Sequence, residues 1–375
     1  MTRTASRLGA AATAFAVLAL AACAPQELRQ PDVTMSQVPA DHRIVVPTPP
    51  VDPMPAVIWP LTGLDATDAD PATVERQAIA VKIDNSTGVN KAIPQAGLDQ
   101  ADIVFEEYMA KGGWTRFVAV FHSDYPEIVG NTRSLRPMDP YIFGSFYGTI
   151  VFSGAASPTL RDALALSDQI YVAEDLLNCR PTFYQRSGKH RPYSTYVKLY
   201  EAEKCGLARG ASPAPQQFDY AYPDDAATAL VSGVPVSVIS LKFSRTQTQH
   251  WRWDAASAAW LRFQGADAHL QQDGQQITAT NVLVLRAGVR YKYHDDPETL
   301  LAGTDHGTGY IASGGKYVEI RWSKADRRDA FHLETLDGTP VYLLPGKTWV
   351  ELLPAWGTGE VQVLSFDATT ITTSR

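Results

Sequence analysis

Cysteine is scarce in this chain of 375 residues, which has only Cys23, Cys179 and Cys205. The short motifs of common chemistries are missing as well. There is no glycine–x–serine–x–glycine elbow, no P-loop, no dinucleotide fingerprint and no HExxH zinc helix. Positive charge is in deficit, with 33 Lys and Arg against 40 Asp and Glu, a net charge of −7. That balance argues against nucleic acid, which selects a basic surface, and against broad adhesion to anionic lipid. Beyond the N terminus no apolar run is long enough to span a bilayer.

The one long apolar run opens the chain, in "MTRTASRLGAAATAFAVLALAACAPQ". Arg3 and Arg7 precede an apolar stretch from Leu8 to Ala22 that is too short for a spanning helix and ends in small residues. Residues 1–22 therefore read as a secretory signal peptide. The "LAAC" ending, Leu20 to Cys23, resembles the lipobox of bacterial lipoproteins. That resemblance implies cleavage before Cys23 and its lipidation with palmitate-type chains. The mature protein would then be extracytoplasmic and anchored to the bacterial cell membrane; ordinary cleavage beside an incidental cysteine is the alternative. Outside the cytoplasm Cys179 and Cys205 favour a disulfide over two separate thiols. Such a bridge would add about 3.5 kcal/mol on the chain-entropy model. With Cys23 acylated and the other two paired, no cysteine nucleophile remains.

Residues 23–60 form the lipidated cysteine and a tether, since nine of the 25 prolines lie between Ala24 and Pro60. Such a segment stays extended and buries too little apolar surface to fold. Residues 61–208 read as a mixed α/β domain. "AIAVKID", "ADIVFEEYMA" and "TRFVAVFHS" are strands, the last two joined as a hairpin at Gly112-Gly113. In the third, Phe117 to Phe121 leave neither face polar, so it is central and covered on both sides. A short aromatic helix (Pro140 to Gly148) and the strand "TIVFSG" follow. A helix with Ser157 as N-cap and Pro158 at its first position comes next, then the strand "QIYVAED" and a helix over Tyr193 to Cys205. Residues 209–233 read as a linker. From 234 to 375 the apolar runs are short and alternate. Trp251 and Trp253 answer Leu261 and Phe263 across a turn, Val318, Ile320 and Trp322 share one face, and two short strands flank Pro345-Gly346. The expected fold is α+β with two domains, a mixed-sheet α/β domain followed by a mostly antiparallel β-rich one.

The motifs "AVKIDN", "QAGLDQADIVFEE", "GGWTRFVAVF" and "GNTRSLRP", in this order, resemble the N-terminal domain of the YerB-like lipoprotein family, domain of unknown function 3048. "GGKYVEIRWSKADRRDAFHL" and "DGTPVYLLPGKTWVELLP" resemble that family's C-terminal domain. The resemblance covers about Leu61 to Pro354 and implies an envelope lipoprotein, but no reaction. The family's "GGSP" stands here as "GAASP" (Gly154 to Pro158), and "KHRPYSTY" lacks the usual "PHN".

Arginine carries the main chemical signal. Arg116 starts the central strand and Arg133 and Arg136 follow its far end, with Ser134 between them; Arg161, Arg180 and Arg191 lie near later strand ends or in the disulfide loop, and Ser157 and His190 are further candidates. A guanidinium fork suits phosphate or carboxylate, and strand-end loops of α/β sheets are where ligands sit. The competing reading has these arginines fastening loops by pairing with Asp99, Asp102, Glu106, Glu107 or Asp139. Asp84 can be read as a divalent-metal ligand for a phosphorylated substrate, although no cofactor is expected. Alternation places Glu106 and Glu107 on opposite faces. His190, beside Tyr193, Ser194 and Tyr196, is a candidate base. His294, Asp295, Asp296, Asp305 and His306 cluster without the spacing of a known metal site.

Three functions fit these residues. The first is an envelope lipoprotein binding an anionic wall glycan or lipid-linked precursor, with an envelope protein as further partner. The second is an envelope enzyme on phosphorylated wall precursors, similar at fold level to the LytR–CpsA–Psr transferases. The third is a structural or interaction module.

Overall fold

The computed structural model describes residues 54–86, 92–109, 114–166, 168–244, 248–293, 296–299, 305–355 and 364–367. Cys23 lies outside them. The N-terminal family half comprises strands β1 (Ile79–Asp84), β2 (Ile103–Tyr108), β3 (Thr115–Phe121), β4 (Val129–Gly130), β5 (Thr149–Phe152), β6 (Ile170–Ala173), β7 (Phe183–Gln185) and β8 (Thr195–Val197). Its helices are α1 (Pro71–Val74), α2 (Asp139–Phe143), α3 (Ser157–Leu164) and α4 (Leu199–Leu207). After α5 (Thr228–Ser232) come β9 (Val234–Pro235), β10 (Val238–Lys242), β11 (Thr248–Asp254), β12 (Ala259–Gln264), β13 (Asp267–Ala268) and β14 (Thr278–Ala279). The chain continues through β15 (Asn281–Tyr293), β16 (Asp296–Thr299), β17 (Asp305–Ser313), β18 (Lys316–Lys324), β19 (His332–Thr335), β20 (Thr348–Ala355) and β21 (Leu364–Asp367).

A mixed sheet forms the spine, in the order β19-β18-β17-β15-β20-β2-β3-β1-β5-β6. β3 pairs antiparallel with both β1 and β2, while β5 and β6 continue in parallel. An antiparallel sheet β13-β12-β11-β10-β21 packs on one face, and β4-β8-β7 forms a small third sheet. β20 lies parallel to both β15 and β2, so one sheet runs through both halves of the chain.

Every residue of β1, β2 and β3 is buried, as their unbroken apolar runs require. One face (Ala80, Phe105, Val118) packs under Phe143, Phe146 and Phe331. The other (Val81, Val104, Phe117) packs on α4 and on Trp251, Trp260 and Trp349. The segment 209–233 crosses this core rather than skirting it. Phe218, Tyr220 and Tyr222 are buried, and Ala221 N donates to Leu343 O at 2.8 Å.

Local details differ from expectation. Ala156, in extended backbone, caps α3, and Ser157 is already the first helical residue, with no capping side-chain bond. The helix expected from Tyr193 begins only at Leu199, because Thr195–Val197 pairs with β4 and β7. The β11–β12 hairpin forms one position out of register. A four-residue loop, with Ala258 at φ 50° and Asp254 accepting from Ser257 N at 3.1 Å, closes on Asp254 and Ala259. Trp251 therefore faces Arg262, and Trp253 faces Trp260. Ahead of Pro345 there is no strand, only isolated bridges at Pro340 and Leu343.

Cys179 and Cys205 are disulfide-bonded, with Cα atoms 6.0 Å apart, and tie the β7 region to α4. Edge strand β6 is covered by Asn178, whose side chain accepts from Ala173 N at 2.8 Å and donates to Tyr171 O at 3.0 Å. Such cover denies a second chain the open edge.

His122, at the end of β3, packs its ring on Trp59 and lies 3.0 Å from Val74 O. Burial, then Arg76, lowers its pKa to about 4. The folded state then binds fewer protons than the unfolded chain between pH 4 and 6.5, so stability rises with pH there. Acidification across that window should remove up to about 3 kcal/mol through His122. Burial pushes His269 the same way. Urea titrations at pH 7 and 4.5 check this, with His122→Gln giving a shallower loss.

Candidate functional site

Strand register brings the site together. Asp84 lies opposite Arg116, and Arg116 opposite Glu107, on the sheet face that also carries Lys82. The stretch "NTRSLRP" then threads between β1 and the end of β5. Thr132 Oγ1 and Arg133 N each donate to Lys82 O at 2.9 Å, and Leu135 N donates to Gly154 O at 2.8 Å. A Cβ at Gly154 would stand 1.9 Å from the Asp175 carboxylate, so a larger residue here would displace that side chain.

Lys82 is fully buried and bridges Glu107 and Asp139, the latter at 2.6 Å. Burial pulls its pKa down to about 7 against the pull of Asp139. Asp84 accepts from Ser86 N at 3.2 Å and Ser86 Oγ at 3.0 Å, with Arg133 Nε 3.0 Å and Arg116 Nε 4.0 Å away. Arg116 donates to Ser134 O at 3.1 Å. Burial, then Arg136, lowers its pKa to about 9. Arg136 N donates to Asp139 Oδ2 at 2.6 Å, and its Nε reaches Met109 Sδ at 3.1 Å. Arg133, 17% exposed, marks the outlet, its guanidinium 5.2 Å from the Tyr193 ring. Lys82, Arg116, Arg133 and Arg136 thus gather around Asp84, Glu107 and Asp139, with Arg133 reaching the surface.

Of the residues singled out in the sequence, Asp84, Arg116, Arg133 and Arg136 converge, with Ser134 contributing its carbonyl. Ser157 is exposed at the start of α3, outside this network. His190 is exposed, and Arg191 pairs with Glu174 at 2.6 Å. The neighbours of Asp84 are guanidiniums, which a divalent cation would repel. Among the described residues no three His, Cys, Asp or Glu side chains gather as a metal site. His294 and Asp295 lie outside the described residues, and His306 is exposed.

Sequence reasoning missed the network on the opposite face. Glu106 and Glu351 are side by side on parallel strands. Arg262 binds Glu106 Oε2 at 2.6 Å, Gln249 donates to Glu106 at 2.9 Å, and Trp251 donates to Glu351 at 2.7 Å. Arg262 also contacts His269, whose Nε2 is 2.8 Å from Gln95 Oε1. Burial, then Glu106, raises the Glu351 pKa well above the carboxylate range, so Glu351 is a neutral acid beside Glu106. All these groups are sealed from solvent, which makes this a core element.

The fold has known counterparts. A crystal structure of YerB from Bacillus subtilis superimposes with a TM-score of 0.68 at 22% identity, covering 82% of this chain and 99% of that one. In sequence the chain is 25% identical over 296 residues to YerB of Bacillus subtilis (strain 168), a protein named as a lipoprotein. The match spans 79% of this chain and 86% of that protein. Residues 61–212 match the N-terminal domain, and residues 239–350 the C-terminal domain, of the protein of unknown function DUF3048. With both domains present in order, the chain belongs to the DUF3048 family.

Proposed function

We propose that this protein is an exported lipoprotein, anchored through Cys23, whose α/β half binds an anionic group of the cell envelope at Arg116, Arg133 and Arg136. The "LAAC" ending and the lipoprotein name of its relative support the anchor. The observation that carries the binding reading is the convergence of Arg116 and Arg133 on the single Asp84 carboxylate, with Arg133 partly exposed at the rim. A phosphate or carboxylate entering beside Arg133 would relieve the repulsion that Arg136 imposes on Arg116. An enzyme built on Asp84 is less favoured, because Glu107 and Asp139 are both held by Lys82.

Thermal melting of the exported chain with pyrophosphate tests this. A ligand at 100 times its Kd stabilises by about 2.7 kcal/mol, and Arg133→Ala and Arg136→Ala should each abolish the shift. No shift in the parent protein, or equal shifts in the variants, would mean that the cluster only fastens its own loops.

A further inference from the structure

We propose that the disulfide-pinned segment 176–200 is a docking surface for a polyanionic glycan, separate from the Arg116 cluster. Between Leu176 and Tyr200 the chain carries Arg180, Arg186, Lys189, Arg191 and Lys198 and no Asp or Glu, within a protein of net charge −7. Only Arg191 is neutralised, by Glu174. Among the described residues no carboxylate lies within ion-pair distance of Arg180, Arg186, Lys189 or Lys198. Their partners are rings instead: Arg186 lies 5.4 Å from the Tyr196 ring and Lys198 Nζ 5.9 Å from that of Tyr184. Arg180, Phe183 and Tyr184 line a shallow depression of about 250 Å³ together with Leu177, Asn178, Gln185 and Glu174, whose carboxylate is held by Arg191. Half-buried rings offer a flat face to sugar C–H groups while the cations meet phosphate or carboxylate. The bridge from Cys179 to Cys205 and the pairing of β7 with β8 hold this surface in shape, so little ordering is lost on binding.

Aromatic rings set beside the cations favour a glycan over a bilayer, since sugar C–H groups and anionic groups are met together. The described chain begins near the far end of the sheet, where Gly346 N donates to Thr62 O and Trp59 meets His122 at the end of β3. The basic segment adjoins the opposite end, with Tyr193 beside Arg133, about 20 Å away along the strands. Near that far end Asp65, Asp224 and Asp225 line a depression with Pro55. The basic segment and this acidic surface therefore lie at opposite ends of the sheet.

The test measures binding of the full chain, in detergent micelles, to immobilised polygalacturonate, phosphomannan and neutral dextran, and to phosphatidylglycerol vesicles. Binding to either charged glycan but not to dextran, weakening with salt, is expected; the better of the two identifies carboxylate or phosphate as the recognised group. The variant Arg180→Ser, Arg186→Ser, Lys189→Ser, Lys198→Ser should bind about tenfold or more weakly with a shallower salt dependence, at an unchanged melting temperature. The pair Arg180→Lys, Arg186→Lys, which keeps the charge, should retain binding. Equal affinity of the quadruple variant and the parent, equal binding to dextran, or binding to vesicles alone overturns the proposal. Arg133→Ala should leave glycan affinity intact, so this surface and the pyrophosphate site can fail separately.

Discussion

Arg262→Met should cost about 3–5 kcal/mol of stability at pH 7, because it strands the Glu106 carboxylate in a sealed core. Arg262 is fully buried, holds Glu106 at 2.6 Å, and lies 5.0 Å from the Trp349 ring. Methionine fills much of its volume, so the loss reports uncompensated charge rather than an empty space. Glu351→Gln is the matched control. Glu351 is already neutral beside Glu106, and glutamine keeps both an acceptor for Trp251 and a donor, so about 1 kcal/mol or less is expected. Urea titrations of the two variants settle the assignment. A loss at Glu351→Gln as large as at Arg262→Met would show that Glu351 is charged.

Lys82→Met on the other face should also cost about 3–5 kcal/mol, by leaving Glu107 and Asp139 without their shared cation. Its pH dependence separates it from a simple packing defect. Without Lys82, burial raises both carboxylates above their unfolded values, so the folded variant takes up protons first. Its deficit relative to the parent protein should therefore shrink as pH falls and grow as pH rises. A deficit that stays constant from neutral to acidic pH would rule out stranded carboxylates as the cause.

The central strands were legible because burial on both faces writes itself into sequence as unbroken apolar runs. The convergence of Asp84, Arg116 and Arg133 was legible in outline, since strand ends adjacent in order fall together in space. Lys82 was visible as a lone cation inside "AVKID", yet its two carboxylates come from β2 and α2, and nothing local names them. The Glu106 network draws on residues 95, 249–269 and 351, contacts that only the fold creates. Its arginine was further hidden by the hairpin register. An expected pairing of Trp251 with Phe263 would leave Arg262 on the other face of β12, and the four-residue loop turns it inward. The late start of α4 has a similar origin, because β4 and β7 recruit Thr195–Val197 from sequence that would otherwise extend the helix.

β20 has a consequence for the order of folding. This strand supplies the neighbour of β2 across five residue pairs, but it lies more than two hundred residues further along the chain. A polypeptide that emerges from its N terminus presents β2 with one side unpaired until Thr348–Ala355 has followed. The two family domains are therefore successive in sequence but simultaneous in folding, and the first cannot complete its sheet before the second arrives.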